Sequence, residues 1–392
     1  MKHSKNLNKK KILCFIEYYL PGYNSGGPVK TISNFVEYFG QKYEIFIICS
    51  DRDYLDEKPY ANKKVEKWYK IGKAKVLYIS KKNLDIFSVA KLLSENSYDL
   101  LYINGLYSLK FTILPLIVRK FKKIKNNIPC ILATRGMLSP NAIKLKSIKK
   151  KIYLKIANFF QLYENLFFQA SNIIEKKEIH KNLKVTNKKI FIAPNLIKLN
   201  PISPKKMKVK KNRTLNLIFL SRISPMKNLD FLLRSLLKVD NPINLTIYGS
   251  KEDHNYYNEC LELIRKLPNK IKVYIKNHIK NESVQNTLIN HDLFVLPSRG
   301  ENFGHVIIES LSAGLPVMIS DKVFWKSDKK GGIMKLPLKE DIWAREILKW
   351  SNLSKENLFL KKKAALMVAQ NYIKKNIGLR QNKDFLNFLL KN

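Results

Sequence analysis

The chain has 392 residues, with 73 Lys and Arg against 31 Asp and Glu, a formal net charge of +42. Hydrophobic residues make up 45% and aromatic residues 11%, which excludes global disorder, and 14 Gly with 15 Pro are too few for a fibrous or low-complexity chain. The length predicts two or three domains, each able to bury its own core.

The basic excess suits a polyanion: nucleic acid, an anionic membrane surface or a phosphorylated substrate. Of the 73 basic residues, 63 are Lys, so the bias of an A/T-rich genome is the competing explanation. Cys14, Cys49, Cys130 and Cys260 are widely separated and form no CxxC or Cys/His cluster, which fits a reducing cytosol. The apolar stretch after the basic start, Ile12 to Leu20, is interrupted by Glu17 and lacks a small-residue cleavage site, so it predicts a first strand. No uninterrupted apolar run approaches the roughly 18–20 residues that span a bilayer. A cytoplasmic protein is expected.

In chain order, strand-like runs are KILCFIEYY (11–19), YEIFIICS (43–50), KVLYIS (75–80), LLYING (100–105), CILATRG (130–136) and KIFIAPN (189–195). The second half restarts with LNLIFLSRIS (215–224), then NLTIYGS (244–250), KVYIKN (272–277), DLFVLPS (292–298) and LPVMISD (315–321). Helical patterns lie between them, as at 29–39, 226–239, 253–267 and 303–313. Such β-α alternation with wholly apolar strands predicts α/β architecture: two doubly wound parallel-sheet domains with a cleft between them. Ligands in such folds sit beyond the carboxyl ends of strands, so motifs directly after strands carry the information.

Three stand out. Pro21 to Pro28 places Gly26 and Gly27 between the opening strand and a helix, where backbone N–H groups can approach an anion, although a plain strand-to-helix turn has the same look. In Ser221 to Asn228, Arg222 and Lys227 follow the first strand of the second half; two fixed cations there suit a diphosphate, against the alternative that they are two basic residues among 73. Pro297 to Glu309 is the most specific. Glu301 lies in a loop and Glu309 eight residues later in an apolar helix, so two carboxylates can accept vicinal hydroxyls from two sugar rings. The N–H groups at the start of that helix, Phe303 to Val306, can meet an anion.

Together these residues resemble family 4 of the retaining, nucleotide-sugar-dependent glycosyltransferases, which adopt the GT-B fold of two Rossmann-like domains. The likeness spans nearly the whole chain. GGPVKTISN, CSDRDYLDEKPY, ATRGMLSPNAIKLKSIKKK and GENFGHVIIESLSAGLPVMISD are similar to a bacterial branch associated with capsule, exopolysaccharide or lipopolysaccharide assembly. The resemblance implies that Gly26 and Gly27 lie against the donor diphosphate while Arg222 and Lys227 neutralise it. Glu301 would bond the transferred sugar, with Asn302 and the backbone amides of Phe303, Gly304 and His305 beside it, and Glu309 would hold the ribose. It implies a UDP- or GDP-sugar donor, a glycan or lipid-linked glycan acceptor, and no metal or other cofactor. Departure of the anionic diphosphate and same-face attack by the acceptor, with no enzymatic nucleophile, follow as the expected mechanism.

Some positions depart from that pattern. Arg135 stands in the loop where many relatives carry His; it can stabilise phosphate or position the acceptor, but stays protonated and is no base. The usual Asn-Gly is Asn195-Leu196 here, and His305 replaces a commoner apolar residue, leaving sugar contact and simple packing both open. DRD at 51–53 has the form of a metal motif but follows a first-half strand, where a structural or acceptor-side part is expected.

The resemblance sets domain bounds at 1–196 on the acceptor side and 197–375 for the donor, with a helix at 376–392 crossing back to the first. Between Asp99 and Glu164 there is no acidic residue and there are 13 basic ones, and 143–163 spaces Leu145, Ile148, Ile152, Ile156, Phe159 and Tyr163 as one helical face. An anionic membrane surface is one reading, giving peripheral attachment at the inner face of the cytoplasmic membrane; a core-packed helix with a Lys-rich outside is the other. A nucleic-acid-binding protein is the rival from another class, suggested by charge alone, but no RRM, zinc-finger or KH signature is present and no specific nucleic acid is expected. A GT-B sugar-nucleotide epimerase, which needs no acceptor, is a further alternative.

Overall fold

The structure is a computed structural model and describes residues 9–391 apart from 23, 62, 96, 123, 125–127, 145, 146, 208–213, 278 and 280. The chain divides into two units, Met1–Ile197 together with Ile377–Asn392, and Lys198–Asn376.

The first unit is built on β1 (Lys11–Phe15), β2 (Glu44–Ser50), β3 (Trp68–Ile71), β4 (Ala74–Ile79), β5 (Leu100–Asn104), β6 (Cys130–Ala133), β7 (Phe167–Ala170) and β8 (Ile190–Ile192). Their order is β3-β4-β2-β1-β5-β6-β7-β8, parallel throughout except for the β3–β4 hairpin. That hairpin turns on Gly72, whose φ of +58° suits glycine. Between strands run α1 (Gly27–Phe39), α2 (Ile86–Ser94), α3 (Leu114–Phe121), α4 (Pro140–Lys144), α5 (Ser147–Phe159) and α6 (Ile173–Leu183). Because side chains alternate across a strand, Leu13 and Phe15 enter one core with residues of α2, α3, α5 and α6. Ile12 and Cys14 enter the other, with Val29, Ile32 and Phe35 of α1. Burial on both faces is why β1, after Lys11, is apolar at every position.

The second unit orders its strands β11-β10-β9-β12-β13-β14, all parallel. They are β9 (Leu215–Leu220), β10 (Ile243–Tyr248), β11 (Ile271–Lys276), β12 (Leu293–Leu296), β13 (Val317–Ser320) and β14 (Ile333–Leu336). Its helices are α7 (Leu229–Leu236), α8 (His254–Arg265), α9 (Asn281–Ile289), α10 (His305–Ser312), α11 (Glu340–Ser351) and α12 (Lys355–Lys375). The buried Trp343 of α11 meets Phe231 of α7 edge-on at 5.6 Å. In each sheet the strand order reverses once, between β1 and β5 and between β9 and β12, and a crevice opens beyond the strand ends at such a switch point.

The last helix, α13 (Ile377–Leu390), returns to the first unit, where Phe385, Leu386 and Leu389 join the core shared with α1. Phe385 stacks on Phe191 at 4.5 Å, and Asn382 Nδ2 donates to the Pro194 carbonyl at 2.8 Å. The face expected at 143–163 is helical only as far as Phe159, where α5 ends, and the chain then turns through Gln161 and Asn165, both at positive φ. Tyr163 is buried and donates to Tyr153 Oη, whereas Ile148, Ile152, Ile156 and Phe159 point outward; Leu145 lies outside the described residues.

Candidate functional site

In the second unit the loop after β9 is laced to the loop after β10. Ser221 N donates to the Tyr248 carbonyl and Ile223 N to that of Ser250, and Ile223 bridges Lys251. Gly249 makes this possible: a Cβ there would stand 1.9 Å from the Ser221 carbonyl oxygen. The lacing sets Arg222 beside Glu252, with Nη1 donating to Oε1 at 2.7 Å. Asp253 then caps α8, accepting from Tyr256 N at 3.1 Å.

The loop after β9 is also locked to the loop after β12, on the other side of the switch point. Asn228, buried and at φ +61°, donates from Nδ2 to the Pro297 carbonyl at 3.1 Å and accepts from Arg299 Nε at 3.0 Å. Arg299 N donates to the Met226 carbonyl at 2.8 Å. Lys227 and Glu301 are thereby brought into an ion pair whose side chains are only 13% and 11% exposed. Glu301 is held in place by a bridge to Val323. Behind Lys227, burial opposes the charge of Asp230, but hydrogen bonds from Tyr256 and Arg234 outweigh it and hold the carboxyl below its usual range.

Beyond Glu301 the chain turns into α10 through Gly304 at φ +72°, and no side chain caps the helix. A Cβ on Gly304 would lie 2.7 Å from Ile307 Cδ1, so conformation and crowding both select glycine. Phe303 and His305 face inward. Their rings are 5.0 Å apart, and Trp325 Nε1 donates to the Phe303 carbonyl at 2.6 Å. Both side chains are thus packed against the loop. Asn302 and Glu309 are half-buried, Glu309 one turn into α10.

In the first unit Gly26 caps α1 at φ +70°, with nothing within 4 Å of where a Cβ would stand. Its conformation, not crowding, requires glycine, and its backbone stays approachable. Gly22 is different: a Cβ would meet Tyr60 Oη at 2.3 Å and Asp53 Cγ at 2.5 Å. Asp53 accepts from Asn24 N and Tyr54 N, and Asp51 pairs with Arg52, so the DRD carboxylates shape this loop.

Arg135, at φ +55°, donates from Nε to Asn104 Oδ1 (3.1 Å), from Nη1 to Asn195 Oδ1 (2.7 Å) and from Nη2 to Tyr102 Oη (2.7 Å). Its partners are neutral. Burial raises the Tyr102 phenol above its usual range and pushes the nearby Cys14 thiol up to about 12. Glu175 is fully engaged elsewhere, accepting from Thr134 Oγ1, Gly136 N and both Ser171 donors. Among the described residues no carboxylate pairs with Arg135.

The structure thus gathers Arg222, Lys227, Glu301, Asn302, the amides of Phe303 to His305, and Glu309 at strand exits of the second unit. Gly26, Gly27 and Arg135 occupy strand exits of the first. Sequence reasoning missed Asn228, Gly249, Arg299 and Trp325. The Asn before a helix and the Gly after a strand were available as signals, but the carbonyls they serve lie more than 20 residues away.

These features define the GT-B fold, two Rossmann-like units each carrying a parallel sheet. Residues 203–364 match the family described as glycosyl transferases group 1, so the second unit carries a glycosyltransferase domain. The chain is 26% identical to an uncharacterized glycosyltransferase of Methanocaldococcus jannaschii, over 88% of this chain and 93% of that protein. It is 24% identical to the UDP-Gal:alpha-D-GlcNAc-diphosphoundecaprenol alpha-1,3-galactosyltransferase of Escherichia coli, over 72% of each. Among solved structures it resembles Anabaena HepE in complex with UDP and glucose, with a TM-score of 0.71 at 14% identity, covering 98% of this chain and 100% of that one.

Proposed function

We propose that this protein is a retaining, metal-independent hexosyltransferase of the family 4 type. It moves a sugar from a UDP- or GDP-sugar to a growing, lipid-linked surface glycan of the capsule or lipopolysaccharide kind, at the inner face of the cytoplasmic membrane. The observation that supports this best is the nearly buried Lys227–Glu301 pair, held across the switch point next to the uncapped start of α10. The named acceptor of the E. coli relative, a diphosphoundecaprenol-linked sugar, supports a lipid-linked acceptor.

In this reading Arg222 and Lys227 meet the donor diphosphate, and Gly26 and Gly27, with their approachable backbone, are the first unit's anion-binding turn. Lys227 has three N–H donors and can keep Glu301 while binding a phosphate oxygen. Glu301 then accepts from the sugar hydroxyls and Glu309 from the ribose. The acceptor hydroxyl attacks the anomeric carbon on the face the diphosphate leaves. The carbon–oxygen bond breaks with its electron pair going to the phosphate, and that oxygen takes the acceptor's proton. The two cations stabilise the charge as it develops. Arg135, with only neutral partners, is the first unit's cation for an acceptor or donor phosphate.

A panel of nucleotide sugars incubated with lipid acceptor and chelator tests this. We expect release of UDP or GDP from one donor class and a product that NMR shows to keep the donor's anomeric configuration. An inverted product, or turnover only with added divalent metal, contradicts the retaining and metal-independent parts.

A further inference from the structure

We infer that the outer face of α5 is the surface by which the first unit lies on an anionic phospholipid bilayer, an inference that rests on the proposed lipid-linked acceptor and names the docking residues. α5 has two apolar faces. Leu154 and Ala157 enter the core against the sheet. On the opposite side Ile148 is 72% exposed, Ile152 51%, Ile156 52% and Phe159 80%, with Phe160 next to them at 53%. The spacing i, i+4, i+8, i+11 makes one row about 16 Å long. A core-packed helix has no reason to carry it.

The layer around α5 reinforces the point. Among the described residues, 11 of the 22 exposed large hydrophobics sit on it: Ile86 and Phe87 of α2, Leu109 just before α3, Phe121 of α3, the five at α5, and Ile173 and Ile174 of α6. The opposite layer, α1 and α13, exposes three: Tyr38, Ile377 and Phe388. Lys120 donates to the Gln161 carbonyl, tying the end of α3 to the turn that follows α5.

Charge selects the occupant. Lys144, Lys149, Lys151 and Lys155 are exposed along α4 and α5, and no Asp or Glu occurs from 100 to 163. A second copy placed on this face would set lysines against lysines, and a nucleic acid would leave the isoleucine and phenylalanine row unused. An anionic bilayer meets both, its headgroups taking the lysines and its acyl boundary the row, as for an amphipathic helix lying in the interface plane. Among the described residues no helix is long and apolar enough to cross a membrane, so attachment is by this face.

Flotation of the full chain with phosphatidylcholine vesicles, with and without phosphatidylglycerol, is the test. We expect flotation with the anionic vesicles only, weakened by salt. The Lys149→Gln, Lys151→Gln, Lys155→Gln variant should bind less well by roughly fivefold per lysine. Ile152→Glu with Ile156→Glu should weaken binding at least tenfold per site. Nucleotide release from the donor in vesicle-free solution should be unchanged in both variants. Equal flotation with neutral vesicles, an unimpaired isoleucine variant, or a dimer that this variant splits into monomers overturns the proposal. Vesicle binding without donor turnover would leave this surface standing and refute the glycosyltransferase reading instead.

Discussion

Removing either member of the Lys227–Glu301 pair separates its structural from its chemical part. The side chains are 13% and 11% exposed, so Lys227→Ala leaves a carboxylate with little water to replace its partner. Fully buried pairs broken in this way lose about 3–5 kcal/mol; the remaining exposure brings the expected loss here to about 2–4 kcal/mol. In a unit of this size that is a drop in melting temperature of roughly 5–15 °C. Glu301→Gln should fall by less, because an amide keeps one acceptor for the ammonium. The double variant Lys227→Met, Glu301→Gln removes both charges and should regain most of the stability lost by Lys227→Ala. Its donor turnover should stay as low as that of the single variants, since only Arg222 is then left to meet the diphosphate. Thermal unfolding followed by circular dichroism, with nucleotide release on the same samples, reads both quantities. If the double variant is no more stable than Lys227→Ala, the pair is not coupled and the geometry is wrong. If Lys227→Ala turns over donor at the wild-type rate, Lys227 has no part in the chemistry.

Two further outcomes follow from individual residues. Gly249→Ala forces a methyl into the Ser221 carbonyl, a backbone atom that cannot swing aside, and should cost about 1–3 kcal/mol while loosening the loop that carries Arg222; unchanged melting and unchanged donor affinity would show that the two loops are not laced. Burial, helped by the nearby Glu175, raises the Glu178 carboxyl from its ordinary range to about 7. The neutral form is favoured in the folded chain, so the contribution is fully present below the unfolded value and is lost as pH rises to about 7. Glu178→Gln should therefore leave melting near pH 4 unchanged and raise stability above pH 7 by about 1–2 kcal/mol, a figure reduced for its half-exposed side chain. A variant whose gain is the same at both pH values would show that the carboxyl is not shifted.

Much of this site was legible because its chemistry follows strands directly. PSRGENFGHVIIES carries a strand end, a loop and a helix start within a few residues, so Glu301, Gly304 and Glu309 could be located by spacing alone. What spacing cannot show is which carbonyl a side chain will reach. Asn228 has the look of an ordinary helix cap, yet its amide is spent on Pro297 and Arg299, in the loop after a strand three places later in the sequence. For His305 sugar contact and packing were equally open from the sequence, and the structure shows its ring 5.0 Å from that of Phe303, itself packed on Trp325. The strands β3, β7 and β14 were missed because each is a four-residue segment whose apolar run is interrupted, by Lys70, Gln169 and Lys335. The row at 143–163 was visible as helical spacing, but periodicity cannot distinguish a face turned to a core from one turned to solvent. Exposure decided that, and the turn after Phe159 took Tyr163 away from the row.

The most direct measurement is stoichiometric: nucleoside diphosphate released from the preferred donor, counted against glycosylated lipid formed, by the wild-type chain and by Lys227→Ala in the presence of chelator. One nucleotide per sugar transferred, with both products lost together in the variant, is the expected result. Nucleotide release or sugar isomerisation without glycosylated product, or a variant that forms both products at the wild-type rate, would contradict sugar transfer at this site.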